Sequence, residues 1–103
     1  MSEQVFPDIL GNLIVLTASV QETTLAKHPE AAEFVELIPR VLLDPDEIRR
    51  SSRDDRVVLY YRFESAILNG KWIVAVVKRV DRHFISTFYA TSRVKSGDVL
   101  WKR

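Results

Sequence analysis

Three runs rich in β-branched and aromatic residues in the second half of the chain most constrain the fold. They are VVLYYRF at residues 57–63, WIVAVVKRV at 72–80 and FISTFYAT at 84–91. Such residues favour strands. Asn69-Gly70 is the strongest hairpin signal in the chain, and Asp81-Arg82 can turn the next pair of strands. The runs therefore predict an antiparallel meander, with residues 99–102 as a candidate fourth strand at its edge.

The first half of the chain carries a strand signal followed by a helix signal. NLIVLT at residues 12–17 is typical of a short strand. Ser19 and Glu22 have the spacing of a capping box, which predicts a helix over residues 20–27. That helix should end at His28, because Pro29 disfavours helical geometry in the residue before it.

Further helix signals continue to residue 50. Apolar residues at helical spacing predict a second helix over 34–42, kinked or divided at Pro39. Asp44, Pro45 and Glu47 repeat a helix start signal and predict a helical turn through Arg50. The polar stretch RRSSRDDR at residues 49–56 has no periodicity and indicates an exposed connector.

Length and composition suit one domain. The chain has 103 residues, of which 47% are hydrophobic, enough to bury a core. We therefore predict a single α+β domain over residues 1–103, in which N-terminal helices pack on one face of a roughly four-stranded antiparallel sheet.

Several classes of site and location are disfavoured. The chain has no cysteine and only two histidines, which excludes disulfides and thiolate metal sites, so we expect no metal and no cofactor. Its start lacks the pattern of a secretory signal, and no apolar run is long enough to span a bilayer. We expect a cytoplasmic protein without a membrane partner.

The charge is balanced overall and uneven along the chain. The net charge is +1, but residues 71–103 hold eight basic residues and only Asp81 and Asp98 as acids. The strand-rich half is therefore cationic, as a protein that binds nucleic acid requires. Lysines and arginines on an ordinary solvated surface explain the same pattern.

Strand alternation sorts the side chains by face. A two-residue Asp81-Arg82 turn places Val76 opposite Thr87 and Lys78 opposite Ile85. One face then carries apolar residues suited to packing beneath helices, and these are Phe84, Ser86 and Phe88 with Ile73, Ala75 and Val77. The other face carries Lys78, Thr87 and Tyr89, whose groups can bind a phosphate and stack on a base. An ordinary solvated sheet face remains the alternative.

The two histidines differ in setting. His28 lies at a corner before Pro29, and an imidazole suits proton transfer near neutrality, although a corner histidine is often merely a helix cap. His83 stands beside a predicted turn and is expected to be exposed and inert. Glycine-rich phosphate loops and the common hydrolase motifs are not found in the sequence.

Six short pieces of the sequence, taken together, resemble a known family. They are LIVLT, KHPEA, LLDPDEI, VLYYR, FISTFY and KSGDVLW, in this order from about Leu13 to Trp101. Their order and spacing resemble the phage-associated nuclease domains of the barnase, EndoU, colicin and RelE class. The resemblance implies helices on one side of a four-stranded antiparallel sheet, with RNA bound across the exposed face. It also implies a toxin-like, metal-independent endoribonuclease that acts on tRNA or mRNA and is restrained by a cognate antitoxin or immunity protein.

The resemblance also assigns catalytic residues. His28 in H-P-E matches the family's helical histidine, Arg62 its basic strand residue, and Thr87 with Tyr89 its T-x-Y strand. Family members often carry a second histidine about five residues earlier, where this sequence has Thr23, which speaks against a two-histidine mechanism. We expect the substrate-binding residues to be Lys27, Tyr61, Lys78, Arg93 and Lys95.

The position of Arg62 leaves an alternative open. A strict two-residue Asn69-Gly70 turn pairs Arg62 with Val77 and places it on the face opposite Thr87. A bulge or a longer loop would bring it to the same face. Otherwise Arg62 is structural and Lys78, beside Tyr61, supplies the positive charge.

The predicted reaction is attack of a ribose 2′-hydroxyl on the neighbouring phosphate, which leaves a cyclic phosphate end. His28 would move a proton, and a basic residue would stabilise the charge on phosphorus. One rival is an RNA-binding module without catalysis. The other is an interaction domain that pairs with an antitoxin through Trp72, Tyr89 and Trp101.

Overall fold

Strands make up most of the ordered structure. The computed structural model describes residues 3–103, and the seven strands in this range form one sheet. The strands are β1 (Glu3–Pro7), β2 (Leu13–Thr17), β3 (Glu47–Arg50), β4 (Val57–Glu64), β5 (Lys71–Arg79), β6 (His83–Thr91) and β7 (Val99–Lys102). Their order across the sheet is β1-β2-β6-β5-β4-β3-β7. The β2-β6 pair is parallel and the other neighbouring pairs are antiparallel.

The predicted barnase-like or RelE-like architecture, with helices packed on a roughly four-stranded antiparallel sheet, is therefore wrong. The meander β4-β5-β6 and the strand β7 were predicted. Two further strands, β1 and β3, were not, and β2 joins the meander in parallel. Within the described range seven strands replace four, and the α-helices are two short ones, Ala18–Lys27 and Ile38–Leu43.

Strand β3 replaces the helical turn predicted over residues 44–50. Its Ile48 pairs with Tyr60 of β4 on one side and with Trp101 of β7 on the other, and it is fully buried. The cap-and-proline signal was local, whereas the two neighbouring strands satisfy the backbone of β3 on both sides. Tertiary pairing outweighed local propensity.

The strand β1 forms a hairpin with β2, held by an aspartate at the turn. Asp8 accepts hydrogen bonds from the amides of Leu10, at 3.0 Å, and Asn12, at 2.7 Å. Its side chain is 4% exposed and also accepts a hydrogen bond from the hydroxyl of Tyr60. An Asx turn of this kind closes the hairpin without an Asn-Gly signal.

Two short helices lie over one face of the sheet. They are α1 (Ala18–Lys27) and α2 (Ile38–Leu43), with 3₁₀ turns at Pro29–Glu33 and Val35–Leu37 between them. The cap of α1 is Thr17, whose hydroxyl accepts from the Val20 amide at 3.1 Å, so the predicted Ser19 capping box is wrong. The predicted division at Pro39 is confirmed, because the second 3₁₀ turn ends at Leu37 and α2 begins with Pro39 in its first turn.

The main core lies between these helices and the sheet. The sheet side is built from residues of β2, β3, β4, β5 and β6, and the helical side includes Phe34, Ile38, Val41 and Leu42, all at most 2% exposed. This face of the sheet is called the covered face below, and the opposite one the open face. No helix within residues 3–103 is long and apolar enough to cross a membrane.

The register between strands determines which side chains reach the open face. Val76 pairs with Thr87 as predicted, but a bulge at Ser86 pairs Lys78 with Phe84 in place of Ile85. The bulge reverses the face of residues on its far side. Ile85 consequently belongs to the core. Phe84 and Ser86, both predicted on the core face, do not: Phe84 pairs with Lys78 of the open face, and Ser86 is exposed. Phe88, on the Thr87 side of the bulge, is buried in the core as predicted.

Candidate functional site

A connecting segment crosses part of the open face. Residues 92–98, between β6 and β7, pack Val94 on a small apolar cluster formed by Leu59, Tyr61 and Val74. The Arg49 guanidinium donates to the carbonyl oxygen of Gly97 at 3.4 Å. This 92–98 segment therefore covers part of the open face above β4 and β5, and Tyr89 of β6 also packs against the same apolar cluster.

His28 and Tyr89 meet at this place. His28 is the C-cap of α1, where its amide donates to Thr24 at 2.8 Å. Helix α1 follows β2 directly in the chain and contacts β6, with which β2 pairs only at the start of β6. The rings of His28 and Tyr89 are consequently 6.3 Å apart between centroids. The two residues come from segments that are far apart in sequence.

The His28 side chain is open to solvent and has one ionic neighbour. Its exposed fraction is 39%, and its Nδ1 lies 3.6 Å from a carboxylate oxygen of Glu30. A carboxylate on the Nδ1 side orients an imidazole and leaves Nε2 for proton transfer. The capping role and a chemical role are compatible here, because the cap uses only the backbone of His28.

Lys95 brings a positive charge to the same place. Its Nζ lies 5.8 Å from the centroid of the Tyr89 ring, within the range of a cation–π contact. The backbone amide of Lys95 donates to the hydroxyl of Tyr61 at 3.1 Å. Tyr61 is fully buried, so it holds the 92–98 segment in position and does not face solvent.

The titration of Tyr89 follows from its position. Burial raises the pKa of the Tyr89 phenol above its ordinary value. The hydroxyl therefore keeps its proton at neutral pH and can donate a hydrogen bond to an anion. The His28 imidazole and the Lys95 ammonium group thus both lie close to the Tyr89 ring, at 6.3 Å between ring centroids and at 5.8 Å from Nζ to the centroid. Groups of these three kinds can bind a phosphate.

The other predicted site residues on this side, Thr87, Lys27, Arg93 and Lys78, lie at different distances from Tyr89 and His28. Thr87 shares the open face with Tyr89 and is two residues along β6, or about 7 Å. Lys27 is exposed in the last turn of α1, next to His28, and Arg93 is exposed at the start of the 92–98 segment. Lys78 is four pairs from Tyr89 in the ladder, about 13 Å away, and lies near Asp54.

Arg62 lies apart from this group. A strict Asn69-Gly70 turn would pair Phe63 with Val76, but Phe63 pairs with Trp72, so the loop between β4 and β5 is longer than predicted. The partner is shifted by four residues, and an even shift leaves every side chain on the face expected for it. Arg62 therefore remains on the face opposite Thr87. Its guanidinium bonds Glu64 at 2.7 Å and the carbonyl oxygen of Asp44, also at 2.7 Å.

The two tryptophans differ in position. Trp72 lies on the open face in edge contact with the rings of Tyr61 and Phe63, at 6.3 and 5.4 Å between centroids. Trp101 packs against the main core. Both are only partly exposed.

Sequence reasoning did not find the path of the 92–98 segment. The residues SRVKSGD do not by themselves predict that this segment crosses the sheet. Gly97 was the one signal in them of a close backbone approach. A β-carbon at Gly97 would stand 2.2 Å from the carbonyl oxygen of Arg50, so the backbone approaches β3 at a point where only glycine fits. Comparisons with protein-family models, curated proteins and solved structures found no match for this chain.

Proposed function

We propose that the protein is a metal-independent endoribonuclease of the toxin-like kind implied by its resemblance to the phage-associated nuclease domains. The observation that carries the proposal is that His28 and Lys95, from two other segments of the chain, both lie close to the ring of Tyr89. Their groups match the needs of phosphate transesterification: a proton acceptor, a hydrogen-bond donor and a positive charge.

In the proposed reaction His28 accepts the proton of a ribose 2′-hydroxyl as its oxygen attacks the adjacent phosphorus. The bond from phosphorus to the 5′ oxygen breaks, and the departing oxygen takes a proton from solvent. The products are a 2′,3′-cyclic phosphate and a 5′-hydroxyl. Lys95 and the Tyr89 hydroxyl stabilise the negative charge that develops on the phosphate oxygens. Arg62 has no part in this reaction.

The test is incubation of the wild type, His28→Ala and His83→Gln with mixed tRNA and unstructured RNA in excess EDTA. We expect cleavage by the wild type and by the histidine control. We expect His28→Ala to be slower by roughly tenfold to a thousandfold, with an unchanged circular dichroism spectrum. Products should carry cyclic phosphate ends, and 2′-O-methyl RNA should stay intact.

Two results would contradict the proposal. Full activity of His28→Ala would remove the histidine from the mechanism. Binding of RNA by the wild type without any cleavage would instead make the protein an RNA-binding module.

A further inference from the structure

A cavity of about 290 Å³ lies on the open face beside the candidate site. It is open to solvent and is bounded by the loop joining β3 to β4 on one side and by the 92–98 segment on the other. The lining residues are Ser51, Ser52, Arg53, Leu59, Lys95 and Ser96. The volume exceeds by several times the roughly 30 Å³ that one water molecule occupies in liquid, so a phosphate group fits together with water.

The register connects this cavity with the candidate site. Leu59 pairs with Val76, and Val76 pairs with Thr87, so the three residues form one row across the open face. Neighbouring strands are about 4.8 Å apart, which puts Leu59 about 10 Å from Thr87. Lys95 belongs to both places, because it lines the cavity and its Nζ lies over the Tyr89 ring.

The lining has the chemistry of an anion site. It contains two cations, three hydroxyl groups and no carboxylate. The amide of Arg53 donates to the Ser51 hydroxyl at 3.2 Å, which fixes the loop. Within residues 3–103 no ion pair or hydrogen bond engages the Arg53 guanidinium, whereas Arg56 in the same loop is paired.

The neighbouring acid does not compete for Arg53. Asp54 lies 3.3 Å from Nε of Arg56 and accepts the backbone amide of Arg56 at 2.9 Å. These hydrogen bonds hold the pKa of the Asp54 carboxyl below its ordinary value, so it is ionised and directed to Arg56. Arg53 and Lys95 thus line the cavity, and within residues 3–103 neither side chain forms an ion pair with a carboxylate.

We propose that this cavity is a second phosphate subsite, which binds a backbone phosphate of single-stranded RNA other than the one that reacts at His28. The inference rests on the proposed function, and it adds that the substrate is an oligonucleotide that spans both places. Arg53 holds the phosphate by charge, and Ser51, Ser52 and Ser96 supply hydroxyl donors. Lys95 lies at the boundary between the two places. A dinucleotide fills only the reacting place.

The first experiment measures binding without cleavage. A fluorescent 2′-O-methyl uridine oligomer, which has no free 2′-hydroxyl, is titrated with wild type, Arg53→Gln and Arg56→Gln at several salt concentrations. We expect Arg53→Gln to bind roughly threefold to tenfold more weakly. Its slope of log affinity against log salt should be shallower by about 0.7, the value for one phosphate on a single strand. Arg56→Gln, whose side chain is already paired, should match the wild type.

The second experiment compares cleavage of a uridine oligomer and of a uridine dinucleotide. We expect Arg53→Gln to raise KM for the oligomer and to leave the kcat and KM for the dinucleotide unchanged. Equal affinity of wild type and Arg53→Gln, an equal loss in Arg56→Gln, or absence of binding by the wild type overturns the subsite. If the wild type binds through Arg53 but cleaves no RNA, the proposed function fails and the subsite stands. If the wild type cleaves RNA and Arg53→Gln behaves as wild type, the proposed function stands and the subsite fails.

Discussion

The ring centroids of His28 and Tyr89 are 6.3 Å apart, with the Lys95 ammonium 5.8 Å from the centroid of the Tyr89 ring. In the proposed reaction Tyr89 therefore has two separable roles, since its ring contacts both neighbours and its hydroxyl is the hydrogen-bond donor for the phosphate. The parallel pairing of β2 with β6 creates this arrangement. Helix α1 follows β2, so it begins beside β6, and it ends at its C-cap His28.

Replacing Tyr89 with phenylalanine should separate the two roles. Tyr89→Phe keeps the ring and removes the donor, so we expect kcat to fall by about tenfold to a hundredfold with little change in KM. Tyr89→Leu also removes the surface under Lys95 and should raise KM in addition. Steady-state kinetics on a fluorogenic RNA check both. Equal kcat for Tyr89→Phe and wild type would show that the hydroxyl has no part in the reaction.

Gly97 should be essential for the position of Lys95. The β-carbon of Gly97→Ala would meet the Arg50 carbonyl oxygen at 2.2 Å, so the 92–98 segment must move away from β3. We expect a loss of roughly 1–3 kcal/mol in the free energy of unfolding, together with lower activity. Urea denaturation and an RNA cleavage assay measure the two effects.

Gly11 provides the matched control for that variant. It also has a positive φ, +88°, but a β-carbon there meets no atom within 4 Å. Gly11→Ala should cost about 1 kcal/mol for the backbone conformation alone and should leave cleavage unchanged. If both alanine variants retain full activity at equal stability, the 92–98 segment does not position Lys95.

Arg62 should contribute to stability and not to catalysis. Its side chain is 18% exposed and bridges Glu64 and Asp44 near the end of α2. Arg62→Gln should lower the free energy of unfolding by about 1 kcal/mol and leave kcat/KM unchanged. Lys95→Gln should lower kcat/KM and leave the free energy of unfolding unchanged. An inactive but fully folded Arg62→Gln protein would return Arg62 to the catalytic group that the resemblance implied.

The strands of the second half could be predicted because their signal is local. Runs such as VVLYYRF are apolar, β-branched and bounded by turn residues, and their alternation placed Thr87 and Tyr89 on one face. The strand β3 could not be predicted in this way, since its four residues Glu47–Arg50 become a strand only between β4 and β7. Pairing partners distant in sequence leave no trace in a short window.

The candidate site also combines features that could be predicted from the sequence with features that could not. The resemblance named His28 and Tyr89, and the structure brings them together. The bulge at Ser86 and the route of the 92–98 segment are consequences of packing, and neither has a distinct sequence pattern. Arg62 illustrates the limit of a matched motif, because alternation alone already placed it on the opposite face.

Stability should fall at alkaline pH because of buried tyrosines. Burial is the largest cause that raises the pKa of Tyr60 above the ordinary value of 10.0, and the hydrogen bond to Asp8 adds to it. Burial also raises the pKa of Tyr61 and Tyr89. In the unfolded chain these phenols lose their protons near pH 10, whereas in the folded protein they keep them. The folded state then binds more protons, so the free energy of unfolding decreases with rising pH.

The stabilisation from Tyr60 is complete below pH 10 and is lost as the pH rises from there through its folded value. Urea denaturation followed by tryptophan fluorescence, from neutral to strongly alkaline pH, measures the slope. Tyr60→Phe should be less stable at neutral pH, because Asp8 loses the phenol as a hydrogen-bond donor. Its slope above pH 10 should be shallower by up to about 1.4 kcal/mol per pH unit, the contribution of one proton. Parallel curves for Tyr60→Phe and wild type would mean that Tyr60 titrates equally in both states.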